Sequence, residues 1–133
     1  MHMKKKITLA LLMASLLLIV SACSKRNDEN PIAKTISYRN ITEIVASTQM
    51  TDMKQDIVLD EGNCRKLLDK LTSYSMNKID GEIDKNGWEY LFRIKQGDTN
   101  TTIVSFMENR AFVNGIMYEV KDYSKEDFLQ FFE

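Results

Sequence analysis

The segment Trp88-Glu89-Tyr90-Leu91-Phe92-Arg93-Ile94-Lys95 has side chains that alternate in character with a period of two, the clearest such pattern in the chain. One set is aromatic or aliphatic, and the other set is mostly charged. This alternation predicts a β-strand with one face in a core and the other face in water. Such strands are typical of an antiparallel sheet that is covered on one side only.

The residues that follow this strand predict more strands joined by tight turns. Gln96–Asp98 is the first turn, and Thr99–Met107 is rich in β-branched and aromatic residues. Asn114–Gly115 is the strongest short hairpin signal in the chain, because both residues tolerate the positive φ angles of a two-residue turn. Asp84–Gly87 predicts another hairpin turn on the same grounds. The second half of the chain should therefore be an antiparallel meander.

A helix is predicted from Asp60 to Met76, and its apolar residues recur at i, i+3, i+4 and i+7. Asp60 suits the N-cap, and Glu61 lies in the first turn, where a negative charge is favourable. The apolar stripe covers about a third of the circumference, so the helix should pack on one face of a sheet. The residues of the stripe are Cys64, Leu67, Leu68 and Leu71.

Three further segments complete the expected fold. Residues 35–49 and 55–59 have strand composition, with a change of phase near Arg39–Asn40 that indicates a bulge or a turn. Ser124–Asp127 resembles a capping box at the start of a short C-terminal helix. The predicted fold class is α+β, with an antiparallel meander sheet of four to six strands, one helix on one face and a short C-terminal helix.

The N-terminal 23 residues are organised like an export signal. Lys4–Lys6 precede an apolar run, Ile7–Val20, which at about 14 residues is too short to span a bilayer as a helix. The small residues Ser21 and Ala22 then precede Cys23. This arrangement resembles the lipobox of bacterial lipoproteins, in which the peptide before the cysteine is removed and diacylglycerol is attached to the cysteine.

The resemblance implies cleavage after Ala22, lipidation of Cys23 (palmitate is a typical acyl chain) and a place on the extracytoplasmic face of the cell membrane. It divides the chain into a signal peptide (1–22), a lipidated cysteine with a flexible tether (23–34) and a single α+β domain (35–133). Two alternatives are an ordinary secretory signal, with Cys23 a chance neighbour, and an uncleaved membrane anchor.

Composition excludes several classes of function. Cleavage would leave 111 of the 133 residues and remove three of the 18 Lys and Arg, so 15 bases would face 19 acids, a formal net charge of −4. An acidic chain is a poor nucleic-acid binder. Cys64 would be the one remaining thiol, so no internal disulfide is expected, and it is interpreted as a small apolar helix residue. The only histidine, His2, leaves with the signal, which excludes a Ser-His-Asp triad and a histidine-based zinc site.

Two acidic stretches of the sequence resemble functional sites only in part. Glu82–Gly87 has part of the ligand pattern of a calcium loop, but the twelfth position is Arg93, where a bidentate Glu is needed. We therefore expect a turn there, and neither a metal nor a cofactor. Asp80, Glu82 and Asp84 form the only close cluster of acids, which a small cell-envelope enzyme or enzyme subunit would use as paired carboxylates.

The sequence favours a non-enzymatic protein- or peptide-binding module whose partner is an envelope protein or peptide. The aromatic residues should mostly form the core, with an exposed tip acting as a binding anchor. The candidate binding surface is Trp88, Tyr90, Arg93 and Lys95. The mature pattern loosely resembles small Gram-positive lipoproteins of unknown function, and immunity and exclusion lipoproteins act as binding modules of this kind. The carboxylate enzyme is the alternative, whereas a solute-binding lipoprotein would need two lobes and a longer chain.

Overall fold

The computed structural model describes residues 30–50, 56–81 and 87–133. It contains α1 (Pro31–Thr35), α2 (Glu61–Ser73) and two 3₁₀ helices (Tyr38–Asn40 and Lys125–Phe131). The strands are β1 (Ile41–Thr48), β2 (Asp56–Val58), β3 (Met76–Lys78), β4 (Tyr90–Gln96), β5 (Asn100–Met107), β6 (Arg110–Val113) and β7 (Ile116–Val120). In the part of the chain that is described, no helix is long and apolar enough to cross a membrane.

The seven strands form one antiparallel sheet in the order β2-β1-β4-β5-β6-β7-β3. The α+β class is therefore confirmed, and β4 to β7 are the predicted meander of consecutive neighbours. Asn114 and Gly115 have φ angles of 49° and 85° and join the paired residues Val113 and Ile116. This is the two-residue hairpin that the sequence predicts.

The sheet has seven strands instead of the predicted four to six. β2 lies within the predicted strand 55–59, whereas β3 begins at the predicted end of the helix and has only three residues, too few for an alternating pattern to appear in the sequence. β3 pairs with β7, Met76 opposite Val120, and so lies at the far edge from β4. β4 lies between β1 and β5, so β3 and β4 are not neighbours in the sheet. The predicted hairpin turn at Asp84–Gly87 lies mostly outside the described ranges.

Helix α2 covers one face of the sheet with its predicted stripe, and all four residues of that stripe are buried. The helix ends at Ser73, three residues before the predicted end. The side-chain amide of Asn30 donates to the carbonyls of Leu71 (2.8 Å) and Tyr74 (2.9 Å), which lie at this end of the helix. Tyr74 is already extended, with a ψ of 143°. A residue 41 positions away in sequence therefore satisfies the free carbonyls of α2.

The end of the predicted tether (23–34) is packed and partly helical from Asn30 onward, since α1 covers Pro31–Thr35. Asn30 is fully buried, and its Oδ1 accepts from the backbone N–H of Ile32 (2.9 Å) and of Ala33 (3.2 Å). It is the N-cap of α1, and Pro31 occupies the first turn, where a missing N–H costs nothing. The last residues of this polar, proline-containing stretch therefore form the start of a helix, although their composition resembles that of a linker.

The C-terminal segment closes the core as a 3₁₀ helix. The Ser124 N–H donates to Asp127 Oδ2 (3.1 Å), which is the acidic half of the predicted capping box. With three residues per turn, Phe128 and Phe131 lie on the same side, and both are buried. The Phe128 ring is at the centre of an aromatic cluster, with its centroid 4.9–5.2 Å from those of Phe92, Phe106 and Tyr90.

Candidate functional site

The two faces of β4 have different surroundings. Tyr90 and its alternate neighbours Phe92 and Ile94 are fully buried against the helices, and the Tyr90 hydroxyl donates to the Lys125 carbonyl (2.8 Å). Arg93 belongs to the opposite set, which points to the face we call the outer face. The predicted binding surface therefore divides: Tyr90 is a core residue, and only Arg93 and Lys95 lie exposed on the outer face.

Trp88 lies apart from both groups, before the start of β4. It is half-buried, and its backbone N–H donates to the side-chain oxygen of Gln49 (3.4 Å). With Thr48 and Asp56 it lines a shallow depression near the end of β1. The structure thus brings Arg93 and Lys95 together, but it separates both from Trp88 and Tyr90.

The outer face carries a continuous row of side chains across four strands, which we call the outer row: Val58, Val45, Arg93 and Ile103. Each residue is paired directly with the next, from β2 through β1 and β4 to β5. Three strand spacings of about 4.8 Å give the row a length of about 14 Å. Val58 is 64% exposed and Ile103 43%, and both are among the few large apolar side chains with such exposure.

The surroundings of the outer row are polar on one side and apolar on the other. Lys95 Nζ lies 3.3 Å from Glu43 Oε1, an exposed ion pair that contributes little to stability. On the other side Leu91 is half-buried, and Phe112 and Met117 are buried. The Gly81 backbone passes so close to Met117 Cε that an added Cβ would overlap it. The exposed part of the outer face is therefore the half formed by β2, β1, β4 and β5.

Sequence inspection missed the apolar members of the outer row. Val58 belongs to a strand too short to show which of its side chains face the core. The outward direction of Ile103, in contrast, could be inferred from its neighbours in β5. Val104 and Phe106 are the large residues of β5 that point to the core, so their alternation assigns Ile103 to the opposite face. The alternation of β4 already assigns Tyr90 and Arg93 to opposite faces, so the candidate surface combined residues from both faces.

Of the acidic cluster that a carboxylate enzyme would use, only Asp80 belongs to the described residues. Asp80 is exposed, whereas Glu82 and Asp84, together with most of the calcium-like stretch, lie outside the described ranges. Cys64 is buried, and burial raises the pKa of its thiol, which disfavours the reactive thiolate. Among residues 30–50, 56–81 and 87–133, no three His, Cys, Asp or Glu side chains are grouped so as to hold a metal ion.

Glu89 has a structural role that the alternation of β4 does not reveal. Its Oε2 accepts from the Tyr123 hydroxyl (3.0 Å), and its Oε1 accepts from the Glu108 N–H (3.2 Å). The pKa of Tyr123 is raised, first by burial and then by the adjacent Glu89 carboxylate. These contacts connect the start of β4 to the β5–β6 turn and to the segment before the C-terminal 3₁₀ helix.

The predicted lipidation site, Cys23, and the predicted cleavage site, Ala22, lie outside the described residues. No protein-family model, curated protein or solved structure matches the chain.

Proposed function

We propose that the protein is a lipoprotein, held on the extracytoplasmic face of the cell membrane through Cys23, that acts as a non-enzymatic binding module. Its partner is an envelope protein or a peptide. The observation that carries this proposal is the outer row, in which two exposed apolar side chains, Val58 and Ile103, lie on either side of Val45 and Arg93. Arginine is enriched among residues that dominate binding energy, and apolar neighbours exclude water around it.

The N-terminal signal supports a partner near the membrane. Each buried CH₂ of a lipid chain contributes about 0.8 kcal/mol, so two or more chains on one cysteine anchor a protein stably. Asn30 is held against the end of α2, and seven residue steps separate it from Cys23. Seven extended residues span at most about 25 Å. Anchored in this way, the outer row would remain within reach of proteins in the same membrane.

Site-specific photocrosslinking in intact cells tests this function. A photoreactive amino acid replaces Arg93 in the full chain, and a matched chain carries it at Lys66, which is exposed on the opposite, helical side of the molecule. We expect one discrete adduct from position 93 and none from position 66. Equal adducts from both positions, or none from either, would contradict a binding role of the outer row.

Two variants test whether the crosslink depends on the lipid anchor and on the outer row. Cys23→Ala should release the protein from the membrane fraction, abolish incorporation of a labelled fatty acid and reduce the adduct from position 93. Ile103→Asp places a charge in the outer row and should reduce the adduct about tenfold, which corresponds to about 1.4 kcal/mol of binding free energy. Because Ile103 is already 43% exposed, its replacement should leave the folded domain intact.

A further inference from the structure

The edge of the sheet beside β2 is stepped, because β2 covers only part of β1. β2 pairs with Val45–Ser47, and one more hydrogen bond follows, from the Leu59 N–H to the Ile44 carbonyl (3.0 Å). The chain then turns away at Asp60 to start α2. Within the described ranges, no strand pairs with Ile41–Glu43 on this side, although β4 pairs with them on the other. β1 therefore continues past β2 with an open edge.

This open edge borders a groove with a volume of about 390 Å³, within the range of ligand-binding clefts. Ile41 and Glu43 line it from β1, Val58 from the end of β2, and Glu61 from the first turn of α2. Leu59 and Cys64 also line it and are otherwise buried, whereas Arg39 and Thr42 add polar side chains. The groove thus combines a strand edge with a lining that is half polar and half apolar.

The Tyr38 ring forms one wall of the groove, and neighbouring residues hold this ring in place. The ring lies under the guanidinium of Arg65, with Cζ 4.6 Å from the ring centroid, and the Tyr38 hydroxyl donates to Glu61 Oε1 (3.4 Å). The contact with Arg65 is of the cation–π type. A wall fixed before binding loses little conformational entropy when a ligand arrives.

We propose that this groove binds an extended peptide segment of a partner protein, which adds as a strand beside Ile41–Glu43. An extended segment already occupies the same edge of β1, since β2 pairs there, and the groove continues along its line. In strand addition, main-chain hydrogen bonds supply affinity and pockets for alternate side chains supply specificity. The inference rests on the proposed binding role. The groove shares Val58 with the outer row but not Arg93 or Ile103, so either proposal can fail alone.

A single peptide fits this edge better than a second copy of the chain. The β1 strand of a second copy would bring its own β2 and α2. Together these elements are too large for a groove with a volume of about 390 Å³. A register shift between Ile41 and Glu43 also makes Thr42 a bulge, and the Thr42 hydroxyl donates to the carbonyls of Lys95 and Gly97 (3.3 Å each). Bulges and short edges hinder edge-to-edge pairing of folded sheets, which disfavours a second copy as the partner.

The first test selects ligands from a phage library of random heptapeptides with the full chain in detergent as bait. Val58→Arg and Ile103→Arg are matched bait variants, because both residues are exposed members of the outer row but only Val58 lines the groove. We expect enrichment of peptides with apolar residues at alternate positions. Val58→Arg should weaken the Kd of a selected peptide at least about tenfold, whereas Ile103→Arg should leave it unchanged.

The second test identifies strand pairing by its period of two. N-methylation of alternate amides in one phase of the peptide should abolish binding, and methylation in the other phase should be tolerated, because only alternate residues of an edge strand bond to a given neighbour. Amide NMR signals of Ile41–Glu43 should shift on binding. The resonances of Asn100–Thr102, which lie at the same end of the sheet but on β5, serve as the internal reference.

Four results would overturn the inference. These are no enrichment above a detergent-only bait, equal weakening by both arginine variants, tolerance of N-methylation in both phases, and self-association through β1 that displaces the peptides. If they occur while the photocrosslink at Arg93 persists, the strand-addition site fails and the proposed function stands. If a peptide binds but no crosslink forms at Arg93, the strand-addition site stands and the proposed role of the outer row fails.

Discussion

Tyr74 and Asp127 connect the end of α2 to the C-terminal 3₁₀ helix through a hydrogen bond of 2.8 Å from the phenolic hydroxyl to the carboxylate. The same carboxylate accepts from the Ser124 N–H and lies 3.6 Å from Lys70 Nζ. Lys70 also lies over the Tyr74 ring, 5.3 Å from its centroid. One acidic side chain therefore holds the segment that places Phe128 in the aromatic core.

Tyr74→Phe should lower the free energy of unfolding by about 1–2 kcal/mol, the usual contribution of a partly buried hydrogen bond to a charged group. Asp127 keeps two partners in the variant, so the loss should not be larger. Urea unfolding monitored by circular dichroism measures it. Tyr38→Phe is the control, because its hydroxyl bond to Glu61 is exposed and should matter by less than about 0.5 kcal/mol. Equal losses in the two variants would contradict a special role for the Tyr74 bond.

Stability should fall steeply above pH 10. Burial, reinforced by Asp127 and Glu89, raises the pKa of Tyr74 and Tyr123 in the folded state above the ordinary value near 10. Below that pH the tyrosines are protonated in both states, and their contribution to stability is fully present. Above it they ionise only when unfolded, so each lowers the free energy of unfolding by up to about 1.4 kcal/mol per pH unit.

Urea midpoints measured from pH 8 to pH 11 test this sign, and absorbance at 295 nm follows the phenolates directly. Lysine deprotonation also contributes at high pH, so the decisive comparison is with the double variant Tyr74→Phe/Tyr123→Phe. Its stability should decline less steeply above pH 10 than that of the parent chain. Identical slopes would mean that these two tyrosines titrate equally in the folded and unfolded states.

Local patterns in the sequence were sufficient for the elements whose stabilising contacts repeat at a fixed spacing. The α2 stripe and the β4–β7 meander were predicted because each buries one face through its period, and Asn114–Gly115 because its φ angles are a local property. The pairing of β3 with β7 was not predictable in this way. It joins Met76 to Val120 across 44 positions, and three residues carry no period.

The candidate site illustrates the same division between local and long-range information. Residue types suggested Trp88, Tyr90, Arg93 and Lys95, but a shared surface depends on strand parity and on neighbours in the sheet. The row from Val58 to Ile103 exists only because β2, β1, β4 and β5 lie side by side in a register fixed by the whole sheet. The packing of Asn30 was not predictable for a similar reason, since Asn30 caps the end of a helix far along the chain.

Asn30→Ala should be among the most destabilising polar substitutions in the domain. It removes both the cap of α1 and two hydrogen bonds to the carbonyls of Leu71 and Tyr74, all in a fully buried position. We expect a loss of about 2–4 kcal/mol in urea unfolding, since buried carbonyls would be left without donors. Asn30→Asp should be at least as harmful at pH 7, because a carboxylate has no N–H for those carbonyls.

A matched control for Asn30 is Asn77→Ala in the exposed edge strand β3, which should change stability by less than about 0.5 kcal/mol. If Asn30→Ala were equally mild, residues 30–34 would contribute little to the fold and would be better described as part of the tether. The stability of Asn30→Asp should also increase as the pH falls toward the ordinary pKa of an aspartate, about 3.9, because protonation restores one donor.

Tyr90→Phe and Arg93→Glu should separate stability from binding, since their side chains lie on opposite faces of one strand. Tyr90→Phe removes the bond to the Lys125 carbonyl and should cost about 1 kcal/mol of stability, while leaving the crosslinked partner of the outer row unchanged. Arg93→Glu, at an exposed position, should change stability by less than about 0.5 kcal/mol and reduce the adduct made by a photoreactive residue at Ile103 about tenfold. A loss of the adduct with Tyr90→Phe in a fully folded domain would place the partner on the helical face instead, and the outer row would then be an ordinary solvated surface.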